Sequence, residues 1–195
     1  MAAGKKNAAR LKAALVFVDE SGFMMAPLVR RTWAPRGTTP IMLQRGRSHE
    51  KVSAIAALVV SPDRDNVRLF FRLHPDENIK TPLILSFLRQ LSRQLGKKPF
   101  LVVWDRLNAH RAKKTTAFLK TNAAGSALLP PYAPELNPVE YLWSYLKVNP
   151  MANDPHMDTG SIAGAARRHG KAVQRREELL RSFLKHSPLF LRLKQ

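Results

Sequence analysis

Two apolar runs, 14-ALVFVDE-20 and 99-PFLVVWD-105, constrain this chain more than any other feature. Each is rich in β-branched and aromatic residues up to a terminal acid, the pattern of a strand buried on both faces. Side-chain alternation puts Leu15, Phe17 and Asp19 on one face, with Glu20 opposite, and Leu101, Val103 and Asp105 together on one face of the later strand. If the two strands are neighbours, the carboxylates of Asp19 and Asp105 converge at one edge of the sheet. That edge is where ligands of open α/β sheets usually sit.

The intervening sequence supplies further elements. Segment 27-PLVRRTWAPRGTTP-40 reads as a basic strand followed by a Pro/Gly turn, and 51-KVSAIAALVVSP-62 and 67-VRLFFRLHP-75 read as a hairpin antiparallel to the first strand. A helix opens near Thr81 and Pro82 and ends before Gly96, with Ile84, Phe87, Leu88, Leu91 and Leu95 on one face. A short basic helix over 111–122, a short strand over 126–130 and a helix from Pro138 follow, then a loop over 149–158 and a basic helical tail over 171–187. The order β-β-β-α-β-α-β-α implies a mixed sheet flanked by helices.

Composition narrows the class of partner. The chain of 195 residues is 45% hydrophobic, enough for one substantial core. Its formal charge of +19, from 33 Lys and Arg against 14 Asp and Glu, favours a polyanion, with nucleic acid foremost. A ribosomal or chromatin-like protein that binds phosphate without chemistry would carry the same charge. The apolar run 53-SAIAALVV-60 is far short of the ~20 residues that span a bilayer, and no apolar signal core opens the chain, so a cytoplasmic protein without membrane contact is expected. With no cysteine, any metal must be held by oxygen or imidazole.

A third acid stands in 130-PPYAPELNPVEYLWSYLK-147. Asn137 is a favoured N-cap and Pro138 suits the first helical position, which places Glu140 at N3. There it could serve as a capping-box acid worth roughly 1 kcal/mol. The helical stripe Val139, Leu142, Trp143 and Leu146 leaves Glu140 about 60° round from Trp143, at the edge of the buried face and able to point into a cleft. Asp19 and Asp105 likewise have ordinary readings as turn formers or caps. If all three acids share one site, they repel and their pKa values rise unless cations compensate. Two Mg²⁺ ions would compensate, because hard divalent ions prefer carboxylate oxygen and a metal pair suits phosphodiester displacement.

The segments 16-VFVDESGF-23, 30-RRTWAPRG-37, 102-VVWDRLNAHR-111 and 129-LPPYAPELNPVEYLW-143 resemble the catalytic domain of bacterial insertion-sequence transposases related to mariner elements, in the DDE superfamily. Between Asp105 and Glu140 lie 34 residues, similar to the D-x34-E spacing of one branch. The resemblance implies an α/β, ribonuclease H-like fold, a mixed five-stranded sheet flanked by helices. Residues 1–13 read as a basic, flexible lead-in, with a catalytic domain over 14–150 and a basic, helical C-terminal extension of that domain over 151–195. Asp19, Asp105 and Glu140 would be the catalytic, metal-binding acids, holding Mg²⁺ or Mn²⁺, with two ions expected. The activity implied is metal-dependent strand cleavage and strand transfer. A nuclease that only cuts and a non-catalytic DNA-binding remnant are the competing expectations.

Other residues carry narrower expectations. Arg30, Arg31 and Arg36, with Arg111 and Lys147, are candidates for DNA contact; Trp33 suits either DNA or the core. His110 could touch a phosphate, orient a catalytic group or simply bond a loop. Glu135, with 29 residues between it and Asp105, is the rival third acid and lies in a loop. Transposases of this kind usually carry an N-terminal helix-turn-helix region, for which this chain has no room. The expected partners are therefore element-end and target DNA and a separate helix-turn-helix protein or upstream-frame product, and synapsis of two ends points to a homodimer. A bacterial, nucleoid-associated location goes with that reading.

Overall fold

The computed structural model describes residues 12–26, 28–42, 50–96, 98–189 and 193. The expected lead-in lies, up to residue 11, outside the described residues. Strand β1 (Ala14–Met24) pairs antiparallel with β2 (Lys51–Val60), which pairs antiparallel with β3 (Val67–Pro75). Helix α1 (Thr81–Gln94) leads to β4 (Phe100–Trp104), parallel to β1. A helical turn α2 (Asn108–Arg111) and helix α3 (Lys113–Asn122) lead to β5 (Gly125–Leu128), parallel to β4. A 3₁₀ turn over Pro134–Leu136 precedes α4 (Pro138–Val148), α5 (Thr159–Gln174) and α6 (Glu177–His186). The sheet is mixed and five-stranded, ordered β3-β2-β1-β4-β5.

Burial on both faces of β1, β2 and β4 follows from their apolar runs. On one face Val16, Val18, Ile55, Ala57, Val102 and Trp104 pack against Ile84, Leu88 and Leu91 of α1 and Leu119 of α3. On the other, Leu15, Phe17, Ala56, Leu58, Leu101 and Val103 pack against Val139, Leu142 and Leu146 of α4 and against Ile162, Val173, Leu180 and Leu184 of α5 and α6. Two helical layers thus enclose the sheet, and the small residues Ala54, Ala56 and Ala57 let β2 sit buried between them from Val52 to Val60.

Three local expectations are corrected. Residues 28–34 form no strand: Leu28, Val29, Arg30 and Arg31 are exposed, and the segment is tied down where Asn153 bonds the backbone N–H and C=O of Arg30 and the C=O of Leu28. Its arginines keep the segment in water, while the turn at Pro35–Thr38 is present, with Gly37 at φ +83°. Strand β1 does not end at Asp19 but continues to Met24, because Glu20 to Met24 still have partners Ile55 to Lys51 on β2. The C-terminal helix begins at Thr159 rather than near residue 171 and breaks at Arg175–Arg176, and both parts reach the core, through Ile162, Ala166 and Val173 on α5 and Leu180 and Phe183 on α6.

Helix α5 approaches β3 so closely that a Cβ on Gly170 would lie 2.7 Å from the Phe71 ring, whereas one on Gly164 would meet nothing nearer than 3.7 Å. Gly170→Ala should therefore destabilise the fold by ~1 kcal/mol through overpacking. Gly164→Ala should stabilise it by about 0.5 kcal/mol through helix propensity. Urea unfolding of the two variants beside the parent chain checks both signs.

Candidate active site

Parallel pairing of β1 with β4 sets the first two acids side by side. The register runs Ala14 to Phe17 against Phe100 to Val103, and carried two residues further it brings Asp19 level with Asp105. Their surroundings differ sharply. Asp19, within a strand that continues on β2, is 7% exposed, whereas Asp105 lies past the end of β4 with its side chain 55% exposed. Asp105 does act as a turn former, since its Oδ1 accepts the Leu107 N–H at 2.9 Å.

The third acid arrives on α4, which is fastened to β1 by two buried hydrogen bonds. Trp143 Nε1–H donates to Asp19 Oδ2 at 2.9 Å, and Asn137 Nδ2–H donates to the Val18 carbonyl at 3.0 Å, just beyond the last β1–β4 partner pair. Asn137 also caps the helix, with Oδ1 accepting the Val139 N–H. Its own N–H bonds the Pro134 carbonyl at 2.8 Å, so the donor that a capping-box Glu140 would need is already taken. Glu140 instead faces a cleft of about 370 Å³ shared with Asp19 and Asp105 and walled by the proline-rich segment Leu129–Pro134. Glu135 does not line it. A larger cleft, of about 640 Å³, lies at the opposite end of β1 beside the β2–β3 turn and holds no buried carboxylate.

Burial raises Asp19 to about 8, and the charges of Glu140, Glu20 and Asp105 push the same way against the Trp143 hydrogen bond. Glu140 is also raised, by burial and by Asp105, while Lys147 opposes. Asp105 moves down, chiefly because His110 hydrogen-bonds its carboxylate. Lys147 lies half-buried among the acids, its Nζ donating to Ser21 Oγ at 2.7 Å, and burial lowers its pKa against the pull of Glu140 and Asp19.

His110 is buried, so it has no surface with which to touch DNA phosphate. Its Nδ1 lies 2.7 Å from Asp105 Oδ1, its Nε2 lies 3.0 Å from Glu20 Oε1, and its ring stacks on Trp104 at 4.1 Å. Burial disfavours the imidazolium, yet the hydrogen bonds to Asp105 and Glu20 raise the ring to about 9. Strand alternation alone gives Glu20 no role, and the missed signal is the five-residue step from Asp105 to His110, which one helical turn folds back beneath the acid. Arg30, Arg31, Arg36 and Arg111 are exposed; Trp33 is fully exposed and takes no part in the core.

Three carboxylates and no thiol form a donor set suited to hard divalent ions such as Mg²⁺ or Mn²⁺. The protonation of buried Asp19 fits a cation, whose charge would reverse it. Among the described residues, no three His, Asp or Glu side chains converge on one point closely enough to hold an ion unaided.

An α/β sheet with an acid-lined cleft at the end of its parallel pair defines the class. A family model for DDE superfamily endonucleases matches residues 14–162, and the chain belongs to that family. No curated protein sequence matches it. Among solved structures it is similar to the Mos1 transposase paired-end complex with left transposon end, at 17% identity and TM-score 0.64 over 89% of this chain and 52% of that one. It is similar to the Mos1 strand transfer complex at 17% and 0.63, over 95% and 54%. The catalytic domain of Mos1 mariner transposase aligns at 16% and 0.60, over 95% and 82%. Other Mos1 paired-end complexes contain Mn or Mg. The likeness shows the ribonuclease H-like fold, and the chain spans about half the length of the first two relatives.

Asp19 binds its proton far more tightly folded than unfolded, so its contribution to stability is complete below pH 4 and is lost as pH rises toward about 8. His110, raised from 6.5 to about 9, loses its contribution over that interval, in the same direction. Thermal melting in chelator should therefore fall from pH 5 to pH 9. Asp19→Asn, which keeps an acceptor for Trp143, should flatten that fall and melt above the parent at pH 8.

Proposed function

We propose that this chain is the catalytic domain of a DNA transposase that cuts element ends and joins them to target DNA. The observation that carries this reading is the gathering of Asp19, Asp105 and Glu140 at one cleft in a chain of net charge +19. Family membership and the Mos1 DNA complexes support it.

Asp19, Asp105 and Glu140 would hold two Mg²⁺ or Mn²⁺ ions, which supply charge neutralisation and activation of the attacking oxygen in phosphodiester displacement. Trp143 holds Asp19 in the floor of the cleft, and Lys147 offsets part of the acids' mutual repulsion. The exposed Arg30, Arg31, Arg36 and Arg111 grip the DNA backbone with little base preference. Water hydrolyses the phosphodiester at the element end, and the freed 3′-hydroxyl then attacks target DNA. No covalent protein–DNA intermediate is required. On this reading residues 14–150 are the catalytic domain and 151–195 belong with it, since Ile162, Val173 and Leu180 pack in the same core as Leu142. Recognition of the element end falls to a helix-turn-helix protein or upstream-frame product, synapsis to a homodimer, and the setting is the cytoplasm of a bacterial cell, on the nucleoid when DNA is bound.

Nicking of supercoiled plasmid in Mn²⁺ or Mg²⁺ tests the reading. Asp105→Asn and Glu140→Gln should each lower cleavage by ~100-fold or more, at least the cost of losing an outer-shell partner, with circular dichroism unchanged. Cleavage equal to the parent in either variant would refute the acid assignment. Pre-cut element ends should join to plasmid, and cleavage without joining would identify a nuclease that only cuts. Salt-sensitive binding without any metal-dependent cleavage, even with a helix-turn-helix partner added, would identify a DNA-binding remnant.

A further inference from the structure

We propose that Glu20 and His110 are a buried positioning pair that fixes the Asp105 carboxylate at the mouth of the cleft. Its consequence for the reaction rests on the reading of Asp105 as a metal ligand. Asp105 has left the β-ladder, and more than half of its side chain faces solvent. An exposed aspartate samples several rotamers and loses entropy when a ligand demands one of them. Here the freedom is removed from below. Helical turn α2 brings the His110 ring back to place Nδ1 2.7 Å from Oδ1, and the Leu107 N–H reaches the same oxygen at 2.9 Å.

The ring is held in turn. It has no exposed surface, stacks on Trp104 with 9° between planes, and directs Nε2 at Glu20 Oε1, 3.0 Å away. Both ring nitrogens face carboxylate oxygens, so each carboxylate fixes one edge of the ring. Glu20 comes from β1, 90 residues away in sequence, and its side chain is 13% exposed. Consecutive residues of one strand thus serve one site from two faces of the sheet: Asp19 enters the cleft, and Glu20 reaches the opposite face to anchor the imidazole that holds Asp105. A histidine placed only to satisfy a core would need neither a stacked ring nor two carboxylates.

The test compares Mn²⁺ affinity, read from the spin-resonance signal of free Mn²⁺ over the intact chain, with and without the Asp105 carboxylate. His110→Phe combined with Glu20→Gln keeps the stack on Trp104 and leaves no buried charge unpaired; Glu20→Gln alone is the milder variant. The double variant should weaken Mn²⁺ binding ~10-fold, the scale of outer-shell losses, and Glu20→Gln by less. Neither should change affinity in an Asp105→Asn background. An equal loss in both backgrounds, or no loss in either, overturns positioning. Proton–nitrogen NMR of the parent chain judges the pair even if Mn²⁺ does not bind and the metal reading fails. The ring nitrogen resonances of His110 are expected to report both carboxylates, with Asp105→Asn moving Nδ1 and Glu20→Gln moving Nε2. Ring resonances indifferent to both substitutions refute the pair.

Discussion

The hydrogen bond from the Trp143 indole to the buried Asp19 carboxylate is the contact on which the cleft depends. It spans 124 residues and joins the fourth helix to the first strand. An acid with 7% exposure loses most of its hydration, and one good donor returns only part of that loss. Asn137, bonded to Val18 from the start of the same helix, provides a second point of attachment. Two such points fix both the position and the axis of α4, and so the height at which Glu140 meets the cleft.

The electrostatics of the site follow from unequal burial of equivalent residues. Asp19 and Asp105 occupy matching positions on parallel strands, but β1 continues beyond its acid and β4 does not. The first carboxylate is enclosed and driven upward; the second stands in a loop, gains two donors and moves downward. One strand's overrun therefore splits two like groups into a proton-holding and a charged form, a division by environment alone. Lys147 sits between the effects, half-buried and bonded to Ser21, its charge opposing that of Glu140.

A strongly positive chain with an acidic cleft draws a polyanion by its long-range field and repels it locally at the acids. The exposed arginines on 28–42 and on α2 lie outside the acid cleft, as a division between gripping and chemistry would require. The C-terminal helices add basic surface while burying Ile162, Val173, Leu180 and Phe183 against the sheet, so the extension supplies core as well as charge.

Local pattern was enough for much of this. Apolar runs long enough to be covered on both sides announced the strands at residue 14 and residue 100, alternation grouped Asp19 with Leu15 and Phe17 and Asp105 with Leu101 and Val103, and Asn137-Pro138 announced the start of α4. These are properties of neighbouring residues, set by sterics, pleat and capping. Where β1 ends was not legible, because it depends on partners on β2 across a loop; nor was the irregular course of 28–34, where propensity yielded to exposure and to Asn153. The pairing of β1 with β4, the fastening of Trp143 and the Glu20–His110–Asp105 array were decided by tertiary structure alone. Each joins groups far apart in sequence, and only burial against the common sheet determines which of them meet.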